Sequence, residues 1–473
     1  MSRTLSVPDV LAQGRRWSGD EMDAIARSWR AVVREHLAGD ERPIAVALPS
    51  TPEGVALLAA LTSLPPVVIL LHPDVRAWRS EPAIPGGTPL ILPPALKHLA
   101  SDGEKIGLVP VVLPDPSTRT SGPPVDAFSG GGIVQFTSGS TGPPKPVFFP
   151  MPAYLIGARN RVRAMDLEPG AGIAMSASPV YGQGLRYLTT AVLVGGPLAL
   201  LDPHDHRQAL VTLAEPMIRC WRATRHLLEA LSSCVLTGPA VMPRLCVVGT
   251  PLPASVHDAF TGRFGVPLRQ GYSSTETGPI CLDASPPERV QRDTVGTPLD
   301  GVEVRVGDDP TERIEADRVG RIWVRGPGQM AGYGFPPHVE RPGDVDGWWP
   351  TQDLGRLRAD GYLVLAGRMD DAVRTRDNRT VNLAHVAACL GQLAGVRDAV
   401  VVPLDGARGR SFGAVVECDA GVTAATLRTS LASMLPPWSW PRTIEPVPVL
   451  PRLPNGKPDR QACASLLAAR MAP

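Results

Sequence analysis

The stretch that decides the fold runs from Gln135 to Val147 and reads QFTSGSTGPPKPV. A short apolar strand candidate, 133–136, leads into a loop of hydroxyl and glycine residues that ends near Lys145. Glycines let backbone N–H groups approach an anion closely, and a lysine adds a positive charge suited to a polyphosphate. The order of residues is not that of a Walker A loop, GxxxxGK[ST]. Taken alone, this composition favours a flexible surface loop, so its context has to decide.

On both sides of this loop, short apolar runs alternate with helical patterns, which predicts an α/β fold. The run at 108–113 contains Pro110, which lacks a backbone N–H and so restricts a strand to a sheet edge. Helices are predicted over 21–37 and 52–61. Further strands are predicted at 44–48, 67–71, 90–92, 198–201, 235–236 and 245–248.

The pattern changes twice in the second half of the chain. Residues 295–364 contain short alternating segments separated by glycine turns, which predicts a β-rich subdomain. A charged stretch, MDDAVRTRDNR, then begins at Met369 and precedes a smaller segment of mixed pattern. We therefore expect a large domain of layered α/β subdomains plus a β-rich subdomain at 1–368, and a small mobile α+β domain at 369–473.

The composition excludes several classes of function. Among 473 residues, 47 basic and 46 acidic side chains leave a net charge of +1, which predicts no nucleic-acid or membrane partner. The most apolar run, 55–71, is interrupted by Pro65 and Pro66 and is short for a membrane span. Seven scattered cysteines without a CxxC pair, and an N-terminus without a secretory pattern, predict a reduced, cytoplasmic protein.

Three further segments carry polar residues suited to nucleotide chemistry. They are QGYSSTETG at 270–278, GWWPTQD at 347–353 followed by GRMD at 367–370, and LPRLPNGKPDR at 450–460. Each has an ordinary alternative. The first fits a capped helix start at Ser273, the second a turn at a strand end or a solvated ion pair, and the third an isolated turn.

Taken together and in this order, the segments resemble the motifs of the adenylate-forming superfamily, which includes acyl- and aryl-CoA ligases and nonribosomal adenylation domains. FTSGSTGPPK resembles its phosphate loop, GYSSTETG its adenine and Mg²⁺ motif, and WWPTQD its ribose motif. GRMDD resembles its interdomain hinge, and LPRLPNGKPDR its catalytic lysine loop. A weaker match is VVGTPLP at 247–253, and the resemblance extends over residues 44–460.

The resemblance implies an enzyme that uses ATP and Mg²⁺ to convert a small carboxylic acid into an acyl-adenylate, releasing pyrophosphate. Lys457 would bridge the carboxylate and the α-phosphate, Thr275 would contact the α-phosphate, and Glu276 would hold the metal. Asp370 would be the hinge about which the small domain moves. The remaining ATP-binding residues would be Thr137, Ser138, Gly139, Ser140, Thr141, Gly142, Lys145, Gly249, Thr250, Pro251, Tyr272, Asp353, Arg368 and Arg379.

The acceptor of the acyl group stays open at this point. The leading expectation is a thiol, either CoA or the phosphopantetheine of a separate carrier protein. Asp377 stands where many thioester-forming relatives have a glycine that lines the pantetheine tunnel, which argues against free CoA and leaves an amine or hydroxyl acceptor as an alternative. A third alternative is a non-catalytic nucleotide-binding relative, motivated by the departures Pro146, Gln352 and Asp377 and by the shortened stretch at 181–184.

The acid itself is the least readable part of the sequence. By family position, the residues lining its pocket would be Tyr181, Gly182, Gln183, Gly249 and Gly271. No buried aspartate or arginine stands out that would bind an ammonium group or a second carboxylate. We therefore expect a neutral acid, aromatic or of medium aliphatic length.

Overall fold

The computed structural model describes residues 4–75, 78, 84–116, 122–137, 144–235, 240–249, 252, 254–311, 316–369, 372–374, 380–404, 411–453 and 458–471. The α/β fold class is confirmed, because strands arranged in five sheets alternate with helices along the chain. In the described residues, no helix is long and apolar enough to cross a membrane.

The described helices are α1 (Gly19–Leu37), α2 (Pro52–Thr62), α3 (Ala100–Lys105), α4 (Met151–Ala164), α5 (Gly182–Val194), α6 (His206–Leu213), α7 (Arg225–Ser233), α8 (Ala254–Phe264), α9 (Leu383–Gly391), α10 (Ala424–Leu431) and α11 (Arg460–Met471). Their starts follow ordinary capping chemistry. Ser18 and Glu21 form a reciprocal capping box on α1, and Thr51 caps α2 ahead of Pro52.

The strands of the first half are β1 (Val10–Ala12), β2 (Arg15–Trp17), β3 (Ile44–Ala47), β4 (Val67–Leu71), β5 (Pro89–Leu92), β6 (Val109–Val112), β7 (Gly132–Phe136), β8 (Pro146–Pro150), β9 (Gly172–Met175), β10 (Leu198–Leu200), β11 (Ile218–Arg222) and β12 (Leu245–Val248). The later strands are β13 (Leu268–Ser274), β14 (Gly278–Leu282), β15 (Thr297–Pro298), β16 (Glu303–Gly307), β17 (Gly320–Arg325), β18 (Gly332–Phe335), β19 (His338–Glu340), β20 (Trp349–Leu357), β21 (Leu363–Arg368), β22 (Ala372–Arg374), β23 (Thr380–Asn382), β24 (Val396–Leu404), β25 (Ser411–Cys418) and β26 (Thr443–Val447).

Two large sheets dominate the fold. The nine-stranded sheet has the order β15-β14-β13-β12-β11-β9-β10-β1-β2, and the eight-stranded sheet has the order β19-β18-β8-β7-β4-β3-β5-β6. One hydrophobic cluster contains buried residues from strands of both sheets and from helices α1, α2, α4 and α5. A second cluster packs α6, α7 and α8 on the nine-stranded sheet. The helices between the two sheets therefore join them through one continuous core.

Most of the predicted elements are present. The strand at 67–71 has the predicted bounds, and Pro110 lies in β6, which is an edge strand as predicted. The β-rich subdomain contains the four-stranded sheet β16-β17-β20-β21. The predicted strand at 235–236 is wrong at Val235, which is 91% exposed and lies in no strand; Leu236 lies outside the described residues.

Elements after Met369 have hydrophobic clusters of their own. One contains Val373, α9, α10 and the inner faces of β24 and β25, and another packs α11 on β24 and β25. The division of the chain at 368/369, and the mobility of the small domain, stay predictions.

Candidate active site

The candidate site lies where several parallel strands of the nine-stranded sheet end. Strands β9, β11, β12 and β13 run parallel to one another, so their carboxyl ends meet at one edge of the sheet. Ligands of α/β proteins bind at such an edge, because the loops that follow the strands converge there. This edge brings together Arg222 at the end of β11, Gly249 after β12, and the turn that follows β13.

The turn after β13 carries two of the predicted catalytic residues, Thr275 and Glu276. It connects antiparallel strands β13 and β14, so the alternative of a capped helix start at Ser273 is wrong. The hydroxyl of Ser274 accepts a hydrogen bond from the backbone N–H of Thr277 at 3.1 Å, and the carbonyl of Glu276 accepts one from the N–H of Met330 at 2.8 Å. The backbone of the turn is therefore fixed at two points.

A buried arginine binds the backbone of the same turn. Arg186, in helix α5, donates from Nη2 to the carbonyl oxygens of Ser274 and Thr275, at 3.4 and 3.3 Å. Burial lowers the pKa of Arg186 to about 10, and the nearby Glu276 carboxylate partly offsets that effect. A guanidinium with this pKa is still charged at neutral pH. Arg186 therefore places a positive charge next to the backbone carbonyl of Thr275.

The Glu276 side chain is held by Tyr333, which connects it to Lys145. The hydroxyl of Tyr333 donates to Oε1 of Glu276 at 2.9 Å, and Nζ of Lys145 lies 5.0 Å from the centre of the Tyr333 ring. Burial, and next the Glu276 carboxylate, raise the pKa of Tyr333, so its hydroxyl stays protonated and remains a donor. Lys145 and Tyr333 also line an open cleft of about 700 Å³.

The predicted phosphate loop starts from a β-hairpin of the eight-stranded sheet. Strands β7 and β8 are antiparallel neighbours, and the loop between them is closed by Thr137 and Lys145. The N–H of Thr137 donates to the carbonyl of Lys145 at 3.0 Å, and the Thr137 hydroxyl accepts from the N–H of Lys145 at 2.9 Å. Tyr333 in β18 pairs with Val147 in β8. Tyr333, which binds Glu276, therefore lies in the same sheet as the strands that flank the phosphate loop.

A second group connects three residues predicted to bind nucleotide. Asp353 in β20 and Arg368 in β21 are direct cross-strand partners, and their side chains form an ion pair at 3.4 Å. The hydroxyl of Tyr272 donates to the other carboxylate oxygen of Asp353 at 2.6 Å. Burial, and next the Asp353 carboxylate, raise the pKa of Tyr272 well above its usual value, so the phenol remains a donor. Gln352, the departure beside Asp353, is exposed.

Three of the residues predicted to line the acid pocket lie around one cavity of about 30 Å³. They are Gln183, Gly249 and Gly271. Tyr181 and Gly182 do not line this cavity. Tyr181 is the residue before helix α5, and its ring stacks on the ring of His72, with the two ring centres 5.5 Å apart.

The expectation that no buried arginine serves this pocket is wrong. Arg161 and Arg222 both line the cavity and are only 4% and 6% exposed. Sequence reasoning missed them, and also Arg186, although each carries a recognisable signal. Arg186 interrupts the apolar face of a helix, and Arg222 ends a strand, IRCWR, that is otherwise mostly apolar and buried.

Several predicted site residues cannot be placed, because they lie outside the described residues. They are Ser138, Gly139, Ser140, Thr141, Gly142, Thr250, Pro251, Asp370, Asp377, Arg379 and Lys457.

The residues present are compatible with Mg²⁺ bound together with a nucleotide. Among the described residues there is no group of three or more His, Cys, Asp and Glu side chains that could hold a metal by themselves. Mg²⁺ in nucleotide sites needs only one or two carboxylates, because waters and phosphate oxygens supply its other ligands. Glu276 fits this requirement, since Tyr333 binds one of its carboxylate oxygens and leaves Oε2 for a metal.

Comparison with known proteins adds an independent line of evidence. The family model described as AMP-binding enzyme matches residues 129–334. The 4-hydroxybenzoate–CoA/benzoate–CoA ligase of Rhodopseudomonas palustris is 28% identical over 69% of this chain and 62% of its own length. Novobiocin biosynthesis protein H of Streptomyces niveus is 27% identical over 96% of this chain and 79% of its own length. The chain thus spans less than two thirds of the length of the Rhodopseudomonas palustris ligase.

The fold also matches solved structures along nearly the whole chain. O-succinylbenzoate coenzyme A synthetase of Bacillus subtilis, solved in complex with ATP and magnesium ion, aligns with a TM-score of 0.79 at 19% identity. The alignment covers 96% of this chain and 96% of that one. At this identity the match supports the fold alone.

Proposed function

Because this chain belongs to the AMP-binding enzyme family of the adenylate-forming superfamily, we propose that it uses ATP to activate a carboxylic acid as an acyl-adenylate. The acyl group then passes to a thiol acceptor, either CoA or the phosphopantetheine of a carrier protein. The ligase relative from Rhodopseudomonas palustris, named for CoA and benzoates, supports this class of reaction.

In the first step a carboxylate oxygen attacks the α-phosphorus of ATP. A new bond forms between carboxylate oxygen and phosphorus, and the bond to the bridging oxygen of the β-phosphate breaks, releasing pyrophosphate. The transition state carries additional negative charge on the α-phosphate oxygens, so fixed donors and cations stabilise it more than they stabilise the ground state. We assign these roles to Thr275 and Lys457.

The surroundings of Thr275 support its role. Its backbone lies in a turn fixed by the N–H of Met330 and by the buried guanidinium of Arg186. Donors that are held in place before the reaction need no reorganisation during it, which is why such rigidity favours catalysis.

Nucleotide binding is assigned to three regions. Thr137 and Lys145 would flank the β- and γ-phosphates, with Lys145 supplying a point charge. Asp353 would accept hydrogen bonds from the ribose hydroxyls, oriented by Tyr272 and Arg368. Glu276 would hold Mg²⁺, which when bound supplies positive charge to the phosphate oxygens.

The observation that carries this proposal is the position of the hairpin formed by β13 and β14. Tyr272 in this hairpin bonds to Asp353, and Glu276, only a short turn later, bonds to Tyr333 beside Lys145. One rigid hairpin therefore connects the predicted ribose carboxylate to the predicted metal carboxylate and phosphate lysine. These three functions must lie side by side to bind one nucleotide.

In the second step the acceptor sulfur attacks the acyl carbonyl. A carbon–sulfur bond forms, the carbon–oxygen bond to AMP breaks, and the thiol proton is lost to solvent or a base. The test is single-turnover quench with radiolabelled ATP, first without an acceptor and then with CoA, a carrier protein or an amine. We expect an acyl-adenylate that only the thiols consume. Consumption by the amine alone would instead assign an amide synthetase.

Lys457 provides the control for the first step. Lys457→Ala should prevent adenylate formation while ATP binding is retained, because the lysine is assigned to the transition state rather than to the nucleotide alone. Unchanged adenylate formation in this variant would remove Lys457 from the mechanism.

A further inference from the structure

The cavity beside the candidate site has an unusual electrostatic character. Its polar side chains are two arginines, one glutamine, one serine and two tyrosines, and its remaining lining is a cysteine, glycines and apolar side chains. The residues around it contain no aspartate or glutamate in the part of the chain that the structure describes. Two guanidinium groups therefore face one small buried space without a carboxylate to neutralise them. The six polar residues are Arg161, Gln183, Tyr187, Arg222, Tyr272 and Ser273.

The two arginines are bound only by neutral acceptors among the described residues. Arg222 donates from Nε to Oε1 of Gln183 at 3.2 Å and from Nη1 to the carbonyls of Ala223 and Val247. Arg161 donates from Nη1 to the carbonyl of Arg186 at 3.0 Å. Burying a charge without a counter-charge is unfavourable, and burial lowers the pKa of both side chains.

Aromatic contact offsets only part of this cost. The guanidinium carbons of Arg161 and Arg222 lie 5.0 and 5.9 Å from the centre of the same Tyr187 ring. A ring face attracts a cation but carries no net charge. The pair therefore keeps its positive charge, and each arginine also raises the free energy of the other.

Arg222 has a donor that remains available to a ligand. Nη2 of Arg222 has no acceptor among the described residues. It lies against Gly249, where a Cβ atom would be only 2.5 Å from it and 3.2 Å from Nε2 of Gln183. A side chain at this position would push both polar groups aside. The glycine thus keeps open the space in front of Nη2.

We propose that Arg222, together with the positive charge of Arg161, binds a second carboxylate of the acid, so that the substrate is a dicarboxylic acid. The inference rests on the proposed function, because one carboxylate is assigned to the reaction at Thr275. The other carboxylate supplies the missing counter-charge, and a planar guanidinium matches its geometry. The cavity, about 30 Å³, has room for a group of carboxylate size.

The test is direct binding, so that it does not depend on turnover. Calorimetry in the presence of a non-hydrolysable ATP analogue compares malonate, succinate and glutarate with their monoamides, which have nearly the same shape and one charge fewer. We expect at least one diacid to bind about tenfold to a hundredfold more tightly than its monoamide, as charged hydrogen bonds allow. Arg222→Met should abolish that preference, and Arg222→Lys should retain part of it.

Arg269→Met is the matched control. Arg269 is also a buried arginine of the same sheet that binds carbonyl oxygens, those of Asp283 and Ser285, but it does not line the cavity. Its loss should leave the preference for the diacid unchanged. Equal binding of every diacid and its monoamide would overturn the inference, and so would an equal loss of both ligands in Arg222→Met.

Pyrophosphate exchange with the same acids separates this inference from the proposed function. Exchange with monocarboxylic acids but not with diacids would overturn the inference and leave adenylation intact. Arg222-dependent binding of a diacid without any exchange would support the binding site and count against the proposed function.

Discussion

The hydrogen bond between Tyr333 and Glu276 gives a quantitative test of the metal assignment. Tyr333→Phe removes the hydroxyl that donates to Oε1 of Glu276 at 2.9 Å but keeps the ring, so the contacts of the ring with Lys145 and Trp349 remain. A hydrogen bond to a charged group contributes about 1.5–3 kcal/mol. Because the Glu276 side chain is only partly buried, we expect the lower end of that range, which is about a tenfold effect.

The assay compares calorimetric affinity for ATP with and without Mg²⁺. In Tyr333→Phe the gain in affinity caused by Mg²⁺ should fall about tenfold, within the range found when partners of metal ligands are removed. Binding of metal-free ATP should change little. Tyr362→Phe is the matched control, because its hydroxyl bonds to Ser285, away from Glu276. If Tyr333→Phe leaves the effect of Mg²⁺ intact, or weakens metal-free ATP equally, the assignment of Glu276 to the metal is wrong.

Three further predictions follow from other parts of the structure. Gly249→Ala should raise the KM for the acid at least about tenfold, because its Cβ displaces Arg222; steady-state kinetics would show an unchanged acid KM if the cavity is not the acid pocket. Arg186→Met should lower kcat more than ATP affinity and should lower the free energy of unfolding by about 1–3 kcal/mol, because two backbone carbonyls lose their donor. Steady-state kinetics measures the first effect and denaturant titration the second. An equal loss in kcat and in ATP affinity would contradict the role assigned to Arg186. Burial raises the pKa of Cys220 to about 12, so about one molecule in ten thousand is thiolate at pH 8 and alkylation of Cys220 should require unfolding. The stability that comes from keeping this thiol protonated is present below about pH 8.5 and is lost as the pH rises toward 12. Rapid labelling of Cys220 in the native protein would refute this prediction.

The helices and strands, and the residues predicted to bind nucleotide, could be predicted because their signals in the sequence are local. Apolar runs such as 67–71 mark buried strands directly, and Pro110 marks an edge strand. The motif residues Tyr272, Glu276 and Asp353 were identified by order and spacing, and the structure brings each into contact with another site residue. The sequence contains no indication that Tyr272 bonds to Asp353, because they are 81 residues apart.

The buried arginines show where sequence reasoning fails. Whether an arginine faces solvent or a cavity depends on which helices and strands cover it, and that is a tertiary property. Arg161 lies in α4 and Arg222 in β11, and only the packing of α5 against both places them around Tyr187. Tyr181 is a second example, because its position in the motif predicts a place in the pocket and its ring instead stacks on His72.

The most direct test of the central claim is isotope exchange between pyrophosphate and ATP, measured with a panel of carboxylic acids and no acceptor. We predict exchange that requires both Mg²⁺ and a particular acid, and that is lost in Lys457→Ala. Exchange absent with every acid, in protein that still binds ATP, would contradict adenylation and favour a non-catalytic nucleotide-binding protein.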